Sequence, residues 1–284
     1  MTHIDQFESV FRAADKPVFH HRPVDLTHVL VVTDAVGESA TGLFEKIRSF
    51  LSVVPGAARW TRVDGDGYRS VGDLLSRVEA DPPDLIVTYR HLHSEGWRWP
   101  YGLGEHLEVL TQVTPYPILV IPHPDARYAL PHSLANTDRV MAITDHLAGD
   151  DRLVNYAVTF TMTGGTCDLT HIEDGHVFER YLAAFARIPE FDTDEVRALL
   201  LERLLADPTA FIDSCRRVLL EAGVDIRIET VVRVGHRLSE YASLIEERAV
   251  DLLVLNTKDH DQMAMHGLAH PLAVELRQVP LLML

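Results

Sequence analysis

The chain has 284 residues, enough for one large domain or two ordinary ones, and its 46% hydrophobic and 24% charged residues are typical of a globular protein. Lys and Arg together number 26 against 42 Asp and Glu, which gives a formal net charge of −16. This acidity argues against a nucleic-acid backbone or an anionic membrane surface as partner, because both attract clustered Lys and Arg. It does not argue against a small anionic ligand in a local pocket.

The lack of a recognisable targeting signal and the small number of cysteines favour a cytoplasmic location. No apolar run approaches the roughly 20 residues that span a bilayer, and charges interrupt the N-terminal region in a way unlike a signal peptide. The two cysteines, Cys167 and Cys215, are too far apart in sequence to suggest a disulfide framework or a zinc knuckle. We therefore expect a cytoplasmic protein with two reduced thiols.

The first half of the chain alternates patterns typical of strands and helices. Its opening strand, 27–33, is a β-branched run of the kind buried on both faces of a parallel sheet, and it ends at Asp34. Amphipathic spacing predicts the helices, and apolar runs predict the other strands. The predicted elements are, in order, a helix at 5–14, a strand at 27–33, a helix at 38–53, a strand at 57–63, a helix at 71–78, and strands at 85–88 and 118–121.

The second half restarts after a proline-containing linker and repeats the plan with additions. Its first strand, 139–144, again ends at an aspartate, Asp145. Helices rich in Leu and Phe then form an insertion that we expect to cover the sheet, with contact to a protein partner as the alternative. The predicted elements here are a helix at 176–188, a helix capped by Asp192 with Glu195, a separate helix that begins at Asp207 and Pro208, a strand at 226–234 and a helix at 238–248.

Two long blocks, 84–122 and 251–284, share one plan. Each is an apolar strand that begins with Asp, a polar loop, a helix that opens near a glycine, and a second apolar strand. Each half also starts with a strand that ends in Thr-Asp. We therefore predict two copies of one unit, of which the second carries about one extra strand–helix unit and the helical insertion.

Strands that alternate with helices predict parallel βαβ units. The expected fold class is α/β, with two open, mostly parallel twisted sheets that carry helices on both faces. Ligands of such sheets bind beyond the carboxyl ends of the strands, so a functional site is expected at that edge, where Asp34, Asp145 and Gly235 fall. The predicted domains are an N-terminal extension at 1–25, a shortened first domain at 26–124, a linker at 125–137, and a second domain at 138–284 with a helical insertion near 174–222.

These residues resemble the universal stress protein family. The resemblance lies in the strand ending in Asp, the late strand beginning Asp-Leu-Ile or Asp-Leu-Leu, the glycine before a helix, and the pattern Pro-x-Pro-Ile-Leu-Val at 115–120. Two copies resemble the tandem type of the family. The resemblance covers roughly 26–124 and 138–284. It implies the adenine-nucleotide α-hydrolase-like fold of that family, which we expect here as a tandem repeat, and a role in stress response.

The resemblance also indicates where a nucleotide would bind. Family members that bind ATP follow the fourth strand with Gly-x-x-Gly, a spacer, and Gly before Ser or Thr, because glycines let backbone N–H groups approach phosphates at a helix N-terminus. It places Asp34 and Asp145 beside adenine and ribose, and Gly104 and Gly267 in the place of the last glycine. The other positions are replaced, by Tyr89, Leu92 and Glu105 in the first half and by Asn256, Asp259 and Leu268 in the second. We therefore expect weak or absent ATP binding in the usual manner.

The two substituted loops contain side chains with chemistry of their own. In the first loop, Arg90, His91 and Trp97 suggest a ligand pocket with aromatic walls, and the alternative is a loop held by large side chains against the other half. In the second loop, Lys258 and His266 are the ligand candidates. His266 and His270 lie four residues apart, so they would share a helix face, but they lack a third ligand and are weak candidates for a metal site.

Catalysis is not expected, because the chain has no Walker loop and no Gly-x-Ser-x-Gly elbow, and no catalytic residue is predicted. Three hypotheses follow. The first is a non-enzymatic stress-response regulator or scaffold that acts through a protein partner. The second is a sensor in which ATP, AMP or another anion binds the strand ends by an altered mode, and the third is a metal-dependent or nucleotide hydrolase. The closing strands 118–121 and 281–284 are the edges at which the halves would pair as an intramolecular pseudo-dimer, with a homodimer as the alternative.

Overall fold

The computed structural model describes residues 17–99, 101–144, 147–188, 192–257 and 269–284. The strands are β1 (His28–Val32), β2 (Arg59–Val63), β3 (Leu85–Tyr89), β4 (Ile118–Ile121), β5 (Arg139–Thr144), β6 (Thr166–Asp174), β7 (Arg227–Gly235), β8 (Leu252–Leu255) and β9 (Leu281–Met283). The helices are α1 (Gly37–Phe50), α2 (Val71–Ala80), α3 (Glu105–Val113), α4 (Asp151–Phe160), α5 (Gly175–Phe185), α6 (Thr193–Glu221), α7 (Arg237–Glu247) and α8 (Ala269–Glu275), and a short 3-10 helix spans Glu95–Arg98. The helix predicted at 5–14 lies outside the described residues.

The strands form one nine-stranded sheet in the order β2-β1-β3-β4-β9-β8-β5-β6-β7. Neighbouring strands run parallel except for β4 and β9, which are antiparallel. Every residue of β1, β3, β4 and β8 is buried, which requires cover on both faces of the sheet. The predicted α/β class with mostly parallel strands is confirmed. The two expected sheets are joined edge to edge, with Ile118 of β4 opposite Met283 of β9.

The two halves of the chain place their matching blocks alike. The order β2-β1-β3-β4 in the first half corresponds to β6-β5-β8-β9 in the second, and β7 extends the second half by one strand. The aspartate that begins each of the two blocks, 84–122 and 251–284, has the same role. Asp84 accepts a hydrogen bond from the backbone N–H of His28 at 2.8 Å, and Asp251 accepts one from that of Arg139 at 2.8 Å. Each carboxylate thus satisfies a donor at the start of the neighbouring strand.

Replacing Asp84 with Asn is expected to lower the free energy of unfolding by about 1–2 kcal/mol at neutral pH. Its Oδ2 also accepts from the N–H and hydroxyl of Thr27, both at 2.7 Å. Burial raises the pKa of Asp84, but the hydrogen bonds from Thr27 and His28 outweigh it, so the pKa lies below its usual value. Such a group stabilises the fold above its unfolded pKa of about 3.9, and the stabilisation is lost as pH falls through the folded pKa.

Urea unfolding at about pH 7 and pH 3 tests this prediction, because the difference between Asp84→Asn and the unmodified chain should shrink at the lower pH. Asp66→Asn, on an exposed turn, is the matched control. Equal losses in the two variants at neutral pH would contradict the role of Asp84.

The helical insertion departs from prediction at one point. The separate helix predicted to begin at Asp207 and Pro208 is wrong, because α6 runs unbroken through Pro208. A proline in a helix interior removes one hydrogen bond and costs roughly 3 kcal/mol. Packing offsets this loss, because the proline ring is buried and the buried positions that follow it keep helical spacing, namely Phe211, Ile212, Cys215 and Leu219. The predicted cap is confirmed, since Asp192 accepts from the N–H of Asp194 at 2.9 Å.

The N-terminal strap, residues 17–27, ties the start of the first half to helices of the second. Phe19 is buried, and its N–H donates to Ser214 Oγ of α6 at 3.0 Å. Nδ1 of the exposed His20 lies 3.0 Å from Asp151 Oδ2 at the start of α4. Within the described ranges, no helix has the length and apolarity needed to cross a membrane.

Candidate functional site

Asp34 lies directly after β1, at the carboxyl edge of the sheet. One of its carboxylate oxygens accepts a hydrogen bond from the hydroxyl of Tyr89, and the other accepts from the backbone N–H of His93 at 2.7 Å. The Tyr89 hydroxyl is also 2.8 Å from Thr33 Oγ1 and accepts from the Asp34 N–H at 3.1 Å. Both oxygens of the carboxylate are therefore bonded to groups of the chain itself.

The loop after β3 folds back over this edge. We call residues 90–99 the rim loop. His91 and His93 have backbone φ values of 60° and 57°, a left-handed conformation that non-glycine residues adopt at a cost of roughly 1–2 kcal/mol each. The His91 N–H donates to the carbonyl of Leu103 at 3.0 Å, which closes the loop against the segment before α3. The two left-handed residues direct the His93 N–H to Asp34.

Gly104 lies at the N-cap of α3, with φ of 87°. A Cβ at this position would lie 2.7 Å from His91 Cα and 2.8 Å from His91 N. A Cβ on Gly96 would lie 2.6 Å from His91 Nδ1. The predicted rim glycine is thus required for the close approach of the rim loop, because the backbone of His91 occupies the space beside it.

Aromatic and imidazole rings fill the edge around Asp34. The Tyr68 ring lies edge-on to His93 and His106, with centroid distances of 4.8 and 5.5 Å. The His123 ring stacks on Trp97 at 4.5 Å and meets Tyr89 edge-on at 4.9 Å. We call this group the first rim cluster, and its members are Asp34, Tyr68, Tyr89, His91, His93, Trp97, His106 and His123.

Three histidines of the cluster, His91, His106 and His123, are buried. Burial lowers the pKa of His91, His106 and His123, and it raises the pKa of Tyr68 and Tyr89. These rings are therefore neutral at pH 7. His91 and His106 are each 9% exposed, and their Nε2 atoms have no hydrogen-bond partner among the described residues. Both imidazoles retain unused hydrogen-bonding capacity.

Arg90, the cationic ligand candidate of this loop, points to the other half of the chain. Its guanidinium is buried, with Nε 2.9 Å and Nη2 2.6 Å from the carbonyl of Ala273, and Nη2 also donates to the carbonyl of Leu276 at 3.3 Å. Burial lowers the pKa of Arg90 to about 10. The carbonyl of Trp97 accepts from Arg277 at 3.5 Å. These contacts support the alternative interpretation, a loop held against the second half.

The matching edge of the second half is only partly described. Asp145, Lys258, His266 and Gly267 all lie outside the described residues. His270 is exposed on α8. Within the described parts of the chain, no three His, Cys, Asp or Glu side chains are grouped as metal ligands.

The described residues of this second edge are also bonded within the chain. Asn256 directly follows β8, and its side-chain amide donates to Asp150 Oδ2 at 2.5 Å. Burial raises the pKa of Asp150, whose other oxygen caps α4. A Cβ on Gly235 would lie 2.8 Å from Cγ of Glu240, so that glycine makes room for a side chain of α7.

Sequence reasoning did not identify Tyr68 or His123 as site residues. Tyr68 lies in the loop after β2, and His123 follows β4 directly. Both positions are carboxyl ends of strands, so the rule that ligands bind at these ends contained the necessary signal.

Comparison with known proteins gives a distant likeness. No family model matches the chain, and none of the curated proteins matches it. Among solved structures, the chain is similar to a universal stress protein from Archaeoglobus fulgidus, with a TM-score of 0.49 and 13% sequence identity over 92% of this chain and 98% of that one. A likeness at this level assigns no residue role in this chain.

Proposed function

We propose that this chain is a universal-stress-type protein of tandem organisation that acts without catalysis, as a stress-response regulator or scaffold. We further propose that the carboxyl edge of the first half, which we call the first rim, does not take up ATP. The observation that carries the proposal is the position of the rim loop. Asp34 is bonded to Tyr89 and His93, and the backbone of His91 lies against Gly104. A nucleotide would have to displace both sets of contacts.

The charge at the N-terminus of α3 also opposes phosphate binding. Glu105 and Glu108 both lie in its first turn, and Glu108 Oε1 accepts from the N–H of Leu103 at 3.3 Å. The partial positive charge of the helix N-terminus, which would attract phosphate, thus faces carboxylates of the chain. Repulsion of a phosphate by a nearby carboxylate costs on the order of 1 kcal/mol or more in a half-buried loop.

The regulator role is supported by large apolar side chains that are exposed on the helical insertion. The buried residues of α6 all lie at or after Pro208, whereas Tyr181, Ile188 and Leu199 are between 40% and 48% exposed. Such side chains suit contact with a protein partner. The pairing of β4 with β9 supports an intramolecular pseudo-dimer, in which two similar halves complete each other within one cytoplasmic chain.

A small-ligand sensor is the second candidate function. The two buried, unpartnered Nε2 atoms of His91 and His106 favour it, because a ligand with a hydroxyl or N–H donor would satisfy them. Binding of this kind would require movement of the rim loop. It would use the first rim cluster by a mode different from the phosphate cradle.

Calorimetric titration of Mg-ATP into the full chain at pH 7.5 is expected to show no binding tighter than about 1 mM. Acid extraction of the purified protein, followed by chromatography, is expected to release no stoichiometric nucleotide. A micromolar affinity that Asp34→Ala abolishes would overturn the proposal for the first rim. Asp145→Ala tests the matching edge of the second half. Asp225→Ala, before β7 at the opposite end of the strands, is the matched control.

A further inference from the structure

The rim loop is closed by contacts among imidazole and aromatic rings. The rings of His93, Tyr68 and His106 contact one another, with a centroid distance of 5.7 Å between His93 and His106. His123 lies between Trp97 of the rim loop and Tyr89 of β3. His91 is enclosed by Gly96 and Gly104. The rings therefore form the packing surface between the rim loop and the sheet.

The charged groups around these rings come from several elements. His106 faces Asp34 at the end of β1, His93 of the rim loop and Glu105 of its own helix. His123 faces Asp34, Asp125 and, on the rim loop, His91, whose positive charge would oppose its protonation. The largest influence on each ring is burial, which disfavours the charged form more than these carboxylates favour it.

The charged groups near His91 differ from those near His106 and His123, because they include two arginines. Arg90 and Arg277 oppose a positive charge on its ring, and Glu108 of α3 favours one. Burial is again the largest influence, and the ring also bonds the backbone of Gly102. The rim loop, α3, the end of β1 and the segment after α8 thus all contribute groups that bear on protonation of the three buried imidazoles.

We propose that the rim loop is an acid-operated lid. It is closed at neutral pH, when His91, His106 and His123 are uncharged, and it opens when these side chains take up protons. Opening breaks the bond from the His93 N–H to Asp34 and releases that carboxylate, together with Tyr68 and Tyr89, to solvent or to a ligand. The inference rests on the proposed function, in which the closed loop occupies the first rim.

The direction of the effect follows from the two states of the loop. In the closed state burial holds the three pKa values below the usual 6.5, and in the open state they return to about 6.5. The closed state therefore has its full stability above about pH 6.5 and loses it as pH falls. Each imidazole that is protonated only in the open state raises the ratio of open to closed loop by up to about 10-fold per pH unit, and three raise it by up to about 1000-fold.

Fluorescence of Trp97 reports the change. In a chain with Trp60→Phe and Trp99→Phe, Trp97 is the remaining tryptophan. Titration from about pH 8 to pH 5 should show a transition below about pH 6.5 that involves more than one proton, and His106→Gln should reduce its steepness. His20→Gln, which removes an exposed histidine of the N-terminal strap, should leave the transition unchanged. A transition that persists after His91, His106 and His123 are all replaced would overturn the proposal.

Hydrogen exchange of the unmodified chain separates loop movement from quenching of Trp97 by a protonated His123. After correction for intrinsic rates, the His91 and His93 amides should exchange at least about 10-fold faster at pH 5.5 than at pH 7.5, while amides of β5 should not change. Constant protection of both amides would overturn the lid. That result would leave the proposed function intact, because its ATP titration is made at pH 7.5. Conversely, tight ATP binding at pH 7.5 would contradict the proposed function but would not contradict the pH transition of the loop.

Discussion

Replacing Arg90 with Leu is expected to lower the free energy of unfolding by about 3 kcal/mol. The guanidinium makes three hydrogen bonds to the carbonyls of Ala273 and Leu276, at the C-terminal end of α8. Carbonyls at a helix C-terminus have no partner within the helix, and they carry partial negative charge. Leu would leave both without their donor in a buried position at the junction of the two halves.

Urea unfolding measures this loss, and Arg98→Leu in the same loop is the matched control. Arg98 is exposed and pairs with Glu95 at the surface, so its removal should cost less than about 0.5 kcal/mol. Arg90→Lys should lie between the two, because an ammonium keeps the charge but cannot reproduce the planar set of donors. If Arg90→Leu unfolds at the same urea concentration as the unmodified chain, the junction does not depend on this side chain.

Replacing Gly104 with Ala is expected to lower the free energy of unfolding by about 2–4 kcal/mol. Its φ of 87° costs Ala roughly 1–2 kcal/mol, and the new Cβ would lie 2.7 Å from His91 Cα. Because that contact is with backbone, the rim loop must shift, and the shift weakens the contacts of His91 and His93. The Trp97 emission should therefore change together with the stability.

Gly164→Ala isolates the conformational part of this effect. Gly164 has φ of 77°, and a Cβ there would meet nothing within 4 Å. Its loss should be limited to roughly 1–2 kcal/mol, and it should not alter Trp97. Equal losses in the two variants would show that the close approach of His91 has no energetic weight.

Most strands could be predicted from the sequence because they are apolar and β-branched. The predicted strand 118–121 coincides with β4, and 139–144 coincides with β5. The exception is β6, which was not among the predicted elements. It carries Asp168, Thr170 and His171, all buried. These polar residues interrupt the buried Cys167, Leu169 and Ile172, so the strand lacks the continuous apolar run by which a buried strand is predicted.

The location of the candidate site could be predicted from the sequence, but only some of its residues could. Asp34 and Gly104 lie at the edge where parallel strands end, as the fold requires. The orientation of Arg90 could not be predicted, since its acceptors lie on a helix distant in sequence. The same holds for the unpartnered nitrogens of His91 and His106, which depend on how closely the rim loop packs.

The sequence by itself determined the class of the fold, the repeat of its two closing blocks, and the edge at which a site is expected. These properties follow from local patterns, because a strand or helix records in its own residues which faces it buries. Only the tertiary structure decided which polar groups are used within the fold. Asp168, fully buried, is bonded by Arg139 at 2.8 Å and by Arg248 at 2.6 Å, and Asp34 is bonded by Tyr89 and His93. A buried charge needs partners in space, and their distance along the chain leaves no local pattern.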